Sequence, residues 1–284
     1  MADSRSQGYR WHKMKQETNP REFLRARESS YVSACARFLQ SNTAEDPVWY
    51  WEDAEKTLLA LLIYSKGSFF PVFNGQSHIP VPHFMSHFLS TMSIYALQGL
   101  LHDTELLEAV MGPLGYVPVE RIDYDLMSLD QQPNPALLTR GPPGLILRPP
   151  KPGDMDNLFQ LQSAYDQEEV LPQQAVFNPA ACRLSLEHIM DHEHILVAEL
   201  GSRLVGKINT SAASFSRYQI GGVYVHPAYR GLGIASRMGA LFIRRLLAEK
   251  KGVTLFVKKQ NPFARKLYRH IGFETLNTYR ISYF

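Results

Sequence analysis

The chain has 284 residues, of which 45% are hydrophobic and 20% are charged, values typical of a globular protein with one large or two ordinary domains. The longest apolar run, residues 58–64, is far shorter than the roughly 20 residues of a membrane helix. The first twenty residues lack the apolar core of a secretory signal, and two cysteines, Cys35 and Cys182, are too few for a disulfide framework. We therefore expect a cytoplasmic protein without a membrane partner.

Positive charge is concentrated in the second half of the chain. The formal net charge is +3, but residues 144–284 hold 18 basic and 11 acidic side chains, which leaves residues 1–143 with a net charge of −4. This excess points to an anionic ligand in the second half. It is too small to predict a nucleic acid as partner.

Proline marks the expected domain boundary. Seven of the 18 prolines lie between residues 133 and 152, where they favour extended, connecting backbone. We predict a flexible N-terminal tail over residues 1–20, a first domain over 21–130, a Pro-rich linker over 131–142 and a second domain over 143–284.

The second half alternates strands and helices. In chain order, the patterns predict a strand at 145–148, helices after Asp154 and over 179–190, and a hairpin of strands 195–200 and 203–210. A strand at 220–226, a helix from 234 to about 250, a strand at 253–257, a helix from Pro262 and a strand at 273–284 follow. The predicted fold class is α/β, a mixed (α+β) sheet with helices on it.

A weak internal repeat links the two halves. At an offset of 157 residues, residues 114–126 align with 271–283, the apolar stretch 94–101 aligns with the strand at 253, and residues 103–111 align with the helix after Asn261. We predict that the first domain is a smaller, diverged copy of the second. The alternative is that a Gly-aromatic step after a helix is common turn chemistry.

Residues 222–238 hold the most informative pattern. An apolar strand ends at His226-Pro227, and a loop with Gly231 and Gly233 leads into an amphipathic helix. Glycines let the backbone approach a ligand, and the unpaired amides of a helix start favour phosphate. The Gly-Lys-Ser/Thr of a P-loop is missing, and the strand after the helix ends in Lys258-Lys259 where a dinucleotide fold needs an acidic residue.

Two motifs together resemble those of the GCN5-related N-acetyltransferase (GNAT) family. The first is Arg230-x-x-Gly233-x-Ala235 after an apolar strand, which resembles the family's pyrophosphate-binding motif. The second is Asn261-x-x-Ala264 followed by Tyr268 and Gly272-Phe273. The resemblance covers residues 144–284 in the correct order, and the first domain has no counterpart of the pyrophosphate motif.

The resemblance implies that acetyl-CoA binds only in the second domain, where strands 220–226 and 253–258 splay apart. Backbone groups of the first of these strands would hold the thioester and pantetheine arm, the loop at the helix start would take the pyrophosphate, and the later motif would contact the lower cofactor. The implied cofactor-binding residues are Val223, Tyr224, Val225, Arg230, Gly231, Leu232, Gly233, Ile234, Ala235, Ser236, Asn261 and Arg265. Capping of the last helix is a structural alternative for Asn261.

Catalysis would need a proton donor for the thiolate and an acceptor for the ammonium proton. Tyr268 is the candidate acid, with aromatic packing as its structural alternative, and Glu168 and Glu169 are the candidate bases, with a solvated face as theirs. Tyr224 and His226 are rival bases. His188, His192 and His194 are more typical of a solvated turn than of a metal site, so no metal is expected.

We interpret the chain as an acetyl-CoA-dependent N-acetyltransferase that transfers acetyl directly to a small-molecule or peptide amine. The N-terminal domain is expected to shape the acceptor site, and the protein to be a monomer or homodimer. A CoA-binding regulator without catalysis and a transferase for longer acyl groups are the alternatives.

Overall fold

A computed structural model of the protein describes residues 11–14, 19–41, 46–79, 84–173, 175–249 and 252–284. The chain divides into two compact units. Unit 1 comprises Met1–Asp125 and Asn277–Phe284, and unit 2 comprises Leu126–Leu276.

Unit 1 is built on a mixed sheet. Its strands are β1 (Trp11–Lys13), β2 (Val48–Glu52), β3 (Leu58–Ser65), β4 (Ser68–Val72) and β5 (Ala96–Leu100), with parts of β6 (Glu120–Leu129) and β12 (Glu274–Tyr283). Its helices are α1 (Arg21–Arg25), α2 (Val32–Gln40), α3 (Met85–Thr91) and α4 (Leu101–Met111). The strand order is β1-β2-β3-β4-β5-β12-β6, with β4 and β5 parallel.

Several aromatic residues of the first half lie in the core of unit 1. Trp49, Trp51 and Phe69 are buried in one apolar cluster with Met85 and Leu107 of the helices. The Trp49 ring stacks on Phe84 with a centroid distance of 4.3 Å. These tryptophans therefore pack the domain.

Unit 2 holds the remaining elements. Its strands are β7 (Leu145–Arg148), β8 (Ile195–Leu200), β9 (Arg203–Ala213), β10 (Arg217–Val225) and β11 (Gly252–Lys258). Its helices are α5 (Met155–Tyr165), α6 (Pro179–His192), α7 (Ile234–Ala248) and α8 (Pro262–Ile271). The strand order is β6-β11-β10-β9-β8-β7, and the β10–β11 pair is parallel while β7 to β10 are antiparallel neighbours.

Helices cover both faces of the unit 2 sheet. Ile234, Met238, Phe242 and Leu246 recur at helical spacing along α7, and all are buried in the main core. A second cluster joins Leu158 of α5 and Leu186 of α6 to Val197 of β8. The mixed α/β fold predicted from the sequence is confirmed.

Most second-half elements occur where the patterns predict them. The hairpin turns at Gly201, and Asn178 and Asn261 cap α6 and α8 by accepting amide hydrogen bonds from Ala180 and Ala264, both 3.0 Å long. The order expected for the first half, a strand, a helix, a Gly-aromatic step and a strand, is present as β5, α4, Gly115-Tyr116 and β6.

The domain boundaries differ from those expected. Within the expected tail 1–20, Trp11–Lys13 form β1, which pairs with β2, while residues 1–10 and 15–18 lie outside the described residues. The expected linker 131–142 belongs to unit 2, because the 3₁₀ helix Pro135–Thr139 buries Leu137 in the core. The unit boundary lies at Asp125/Leu126, and residues 277–284 belong to unit 1 because Tyr279–Tyr283 pair with β5.

None of the helices in the described ranges is both long enough and apolar enough to cross a membrane.

Candidate active site

The loop before α7 has the backbone form that the glycine motif suggests. His226 Nδ1 accepts the Ala228 amide at 3.3 Å and so caps the short 3₁₀ turn Pro227–Tyr229. Gly231 and Gly233 then adopt φ of +79° and +80°, a region that side chains with a Cβ rarely occupy. A Cβ at Gly231 would meet no atom within 4 Å, so space lies open beside the loop.

The start of α7 offers unpaired amides. Arg237 N donates to Gly233 O at 3.1 Å, and within the described residues no acceptor is recorded for the amides of Ile234, Ala235 and Ser236. Leu232 is exposed while Ile234 and Ser236 are buried, so the loop faces solvent and the helix behind it is anchored. Such a helix start attracts an anion through these amides and the helix dipole.

The central strands separate beside this loop. The recorded parallel pairing of β10 with β11 runs from Arg217–Gly252 to Ile220–Leu255, although β10 continues to Val225 and β11 to Lys258. Val223 and Val225 lie in this continuation, which leaves backbone available to a ligand between the strands. The splayed pair agrees with the cleft that the resemblance implied.

Arg230 turns away from the helix start. Its Nε donates to Val225 O at 2.9 Å, its Nη2 lies 2.8 Å from Glu168 Oε2, and its guanidinium lies 5.3 Å from the Tyr224 ring centroid. The guanidinium therefore braces the end of β10. Arg237 Nη1 likewise donates to a backbone carbonyl, Leu145 O, at 3.5 Å.

Glu168 and Glu169 lie on a π-helical turn, Asp166–Val170, that follows α5. The hydrogen bond from Arg230 holds the pKa of Glu168 below its usual value. Burial raises the pKa of Glu169 despite Lys258, whose Nζ lies 3.9 Å from its carboxylate. Of the two, only Glu169 has its pKa shifted towards that of a general base.

The second motif, which begins at Asn261, lies beside Glu169. Asn261 Oδ1 accepts the Ala264 amide, and its Nδ2 donates to Glu169 Oε1 at 3.1 Å, so Asn261 both caps α8 and holds Glu169. Arg265 reaches Lys259 O at 3.5 Å. Tyr268 is half-buried against Phe273, with ring centroids 5.8 Å apart.

Burial raises the pKa of Tyr268, and the negative charge of nearby Glu169 adds to the effect. Its phenol therefore keeps its proton at neutral pH. A protonated phenol of this kind can donate to a leaving thiolate.

Sequence reasoning missed a group of buried polar residues behind β10. Lys207 of β9 is fully buried, and its Nζ donates to Asn209 Oδ1 at 2.9 Å and to Gly222 O at 3.0 Å. The Gly222 amide donates to the Tyr165 hydroxyl at 3.2 Å. The adjacent glycines Gly221-Gly222 inside a strand pattern are the signal that would have indicated a bulge here.

The histidine group does not assemble into a metal site. His188 and His192 stack at a centroid distance of 4.4 Å, while His194 contacts Tyr218 and Glu249 on other elements. In the part of the chain that the structure describes, no group of three or more His, Cys, Asp or Glu residues is arranged to hold a metal ion.

Comparison with known proteins identifies the domain. Residues 155–273 match the Acetyltransferase (GNAT) family. N-alpha-acetyltransferase RimI of Mycobacterium tuberculosis is 34% identical over 97 residues, which are 32% of this chain. The match spans 59% of the length of that relative.

Solved structures share the fold along nearly the whole chain. A tandem GNAT protein from the clavulanic acid biosynthesis pathway has a TM-score of 0.57 at 10% identity, with 97% of this chain and 98% of that chain covered. A GNAT-family acetyltransferase from Colwellia psychrerythraea has a TM-score of 0.54 at 8% identity, covering 97% and 100%. A GCN5-related N-acetyltransferase from Sphaerobacter thermophilus has a TM-score of 0.52 at 16% identity, covering 96% and 94%. At these identities the likeness establishes the fold.

Proposed function

We propose that this chain, whose residues 155–273 form a GNAT-family acetyltransferase domain, transfers an acetyl group from acetyl-CoA directly to a primary amine bound beside it. The observation that carries the proposal is the separation of β10 from β11 beyond Ile220–Leu255, next to the loop that opens α7. The splayed strands leave backbone amides for a thioester, and the helix start leaves amides for a diphosphate.

The residues present suit coenzyme A. Open space beside Gly231 and the unpaired first-turn amides of α7 suit the diphosphate, while Val223, a half-buried residue where β10 has left β11, suits an extended amide-bearing arm. Acetyl-CoA would supply an activated acetyl thioester. The chain's own residues then have three tasks: polarising the acetyl carbonyl, accepting the proton of the amine and donating a proton to sulfur.

Each task has a candidate residue. The amide of Val225 is our candidate for the carbonyl, because a backbone donor costs no reorganisation when charge develops on oxygen. Glu169, with its raised pKa, is our candidate for the ammonium proton, directly or through water. Tyr268, protonated at neutral pH, is our candidate donor to the leaving thiolate.

Glu168 has a different role in this scheme. Its carboxylate also accepts from the Tyr224 hydroxyl at 3.3 Å, so it joins α5 to β10 together with Arg230. A carboxylate whose pKa is lowered by an arginine is a weak proton acceptor. We assign Glu168 to holding the wall of the acceptor site, and Tyr224 to the same contact.

Unit 1 is proposed to be a diverged copy without a cofactor. Its parallel strands β4 and β5 pair at Ser68–Ala96 and Phe69–Leu97, and Pro71 then fills the space beside Gly99, where an added Cβ would lie 3.2 Å from Pro71 Cγ. Two residues after Pro71, the amide of Phe73 donates to the buried Asp103 at 3.1 Å. In unit 2 the corresponding strand, β10, has backbone left for a thioester. In unit 1 the space beside β4 is filled by Pro71, and the Phe73 amide already has an acceptor.

The test combines calorimetry with a panel of amines assayed by free-thiol release. We expect acetyl-CoA to bind the full chain and thiol release to increase with at least one amine. Leu232→Glu places a negative charge on the exposed loop and should weaken binding, whereas Leu114→Glu, at an exposed leucine of unit 1, should not.

Absence of acetyl-CoA binding would refute the proposal. Binding without thiol release for any amine would favour a non-catalytic CoA-binding protein. Preference for a longer acyl-CoA would show that the group transferred is a longer acyl group and not acetyl.

A further inference from the structure

The bulge in β10 is held from two sides by buried polar groups. The register of β10 against β9 shifts between Gly221–Asn209 and Tyr224–Lys207, so one extra residue is accommodated in β10. Gly222 within this bulge adopts φ of +57°, and an added Cβ would lie 1.9 Å from Asn209 Oδ1. The Gly222 peptide can therefore take this form only with a glycine.

Lys207 and Tyr165 hold the two ends of this glycine. The lysine Nζ donates to Gly222 O, and the Tyr165 hydroxyl accepts from Gly222 N. The same Nζ lies 5.0 Å from the Tyr165 ring centroid, so the two side chains also contact each other. Neither group is placed in the loop that would bind the diphosphate.

A fully buried lysine lowers the stability of a fold unless its ammonium group is paired, so the contacts of Lys207 need an explanation. Lys and other charged residues are almost never fully buried unless they are paired. The titratable groups that face Lys207 are the Asp166 carboxyl, after α5, and the Cys182 thiol of α6, and burial lowers the pKa of Lys207 to about 7. A neutral amine keeps two N–H groups, enough for both acceptors, so the clamp holds in either charge state.

We propose that Lys207 is a positioning residue for acyl transfer: with Tyr165 and Asn209, its Nζ fixes the Gly222 peptide in the bulge that aims the Val223–Val225 backbone at the acyl thioester. This inference rests on the proposed function. It places the contact of Lys207 three residues before Val225, the candidate donor to the thioester carbonyl. Its contribution is therefore to turnover and not to binding of coenzyme A.

The experiment compares Lys207→Met with the wild type, using acetyl-CoA and the best amine of the panel. Methionine keeps the volume and removes the donors. Since a displacement of about 1 Å at a reacting centre costs on the order of 100-fold, we expect kcat to fall by roughly that factor while the Kd for acetyl-CoA changes by less than about 2-fold. Thr254→Val, which alters another fully buried polar side chain of unit 2, should leave kcat unchanged.

A second variant keeps the inference testable if Lys207→Met does not fold. Tyr165→Phe keeps the ring and removes the hydroxyl that accepts the Gly222 amide, and it should lower kcat in the same direction, with a shift of the Gly222 amide resonance. Where both variants fold, the double variant should lose less than the product of the single losses, because both groups hold the same glycine, Gly222.

The outcomes separate the two proposals. If the wild type does not bind acetyl-CoA, the proposed function fails. If the wild type transfers acetyl and folded Lys207→Met or Tyr165→Phe retains full kcat, Lys207 has no positioning role. Equal losses in kcat and in acetyl-CoA affinity would also overturn it, because that pattern indicates general damage to the cleft.

Discussion

The Nδ2 atom of Asn261 lies 3.1 Å from Oε1 of Glu169, while the neighbouring Glu168 is paired with Arg230 at 2.8 Å. Glu168 thus has a cation in close contact, whereas Glu169 is held by a neutral amide and its cation, Lys258 Nζ, lies farther away, at 3.9 Å. The cation stabilises the ionised form of Glu168, whereas burial disfavours the ionised form of Glu169. Their pKa values are therefore moved in opposite directions.

This difference predicts which carboxylate controls the acid side of the pH–rate profile. A general base must be deprotonated, and a raised pKa moves that requirement to higher pH. We expect kcat/KM to rise with pH through a pKa above the usual glutamate value, and Glu169→Gln to abolish this rise and lower kcat by about 100-fold.

Glu168→Gln should keep the rise of kcat/KM with pH and should lower kcat by less than Glu169→Gln does. Glu187→Gln, which alters a solvent-exposed ion pair on α6, should behave as the wild type. Stopped-time thiol assays across pH measure all three. A rise that persists in Glu169→Gln and vanishes in Glu168→Gln would reverse the assignment.

Tyr268→Phe tests the proton donor. The hydroxyl is needed when the thiolate leaves and not when coenzyme A binds, so we expect kcat to fall by about 100-fold with the Kd for acetyl-CoA within about 2-fold of the wild type. Tyr229→Phe, on the 3₁₀ turn after β10, is the matched control. Unchanged turnover in Tyr268→Phe would leave the tyrosine with a packing role only.

The elements of unit 2 could be predicted because their signals are local. Pro262 with Asn261 before it, and the apolar spacing along α7, are sufficient to place helices without knowledge of distant residues. Pairing between distant segments has no such signal. The assignment of Asn277–Phe284 to unit 1 depends on hydrogen bonds to β5, which lie about 180 positions earlier in the chain.

The candidate site was predictable in part for the same reason. The glycine loop and the Asn261–Tyr268 motif are contiguous patterns, whereas the clamp on Gly222 joins residues from α5, β9 and β10. Lys207 also stands in a strand pattern where a lysine is ordinarily exposed. Its burial follows from the bulge and cannot be read from its neighbours in sequence.

Gly233→Ala tests the backbone at the start of α7. At φ of +80°, alanine is strained by about 1–2 kcal/mol, and its Cβ would lie 3.4 Å from Arg140 Cβ. We expect the free energy of unfolding to fall by that amount and acetyl-CoA affinity to fall with it. Gly153→Ala, where no positive φ is required and space is open, should do neither in urea titrations and calorimetry. A Gly233→Ala protein as stable as the wild type would show that the left-handed form is not required.

The Arg148–Asp154 pair predicts how the stability of unit 2 depends on pH. Arg148 Nη1 lies 2.6 Å from Asp154 Oδ2, the Lys151 amide donates to the same carboxylate at 2.8 Å, and these bonds lower the pKa of Asp154 in the folded state. A lowered folded pKa gives stability that is present above the unfolded pKa, about 3.9, and is lost as the pH falls through the folded value. Asp154→Asn should therefore lower the free energy of unfolding by about 1.5–3 kcal/mol at neutral pH. This difference from the wild type should shrink below about pH 4.

Urea denaturation followed by circular dichroism at several pH values measures this cost. Asp156→Asn is the matched control, because Asp156 lies on the first turn of α5 with a side chain that is 88% exposed and a long contact to Arg183. It should not change the unfolding midpoint at any pH. A cost of Asp154→Asn that is the same at pH 3 as at pH 7 would mean that the carboxylate charge contributes nothing, and that the side chain acts only through its shape and neutral hydrogen bonds.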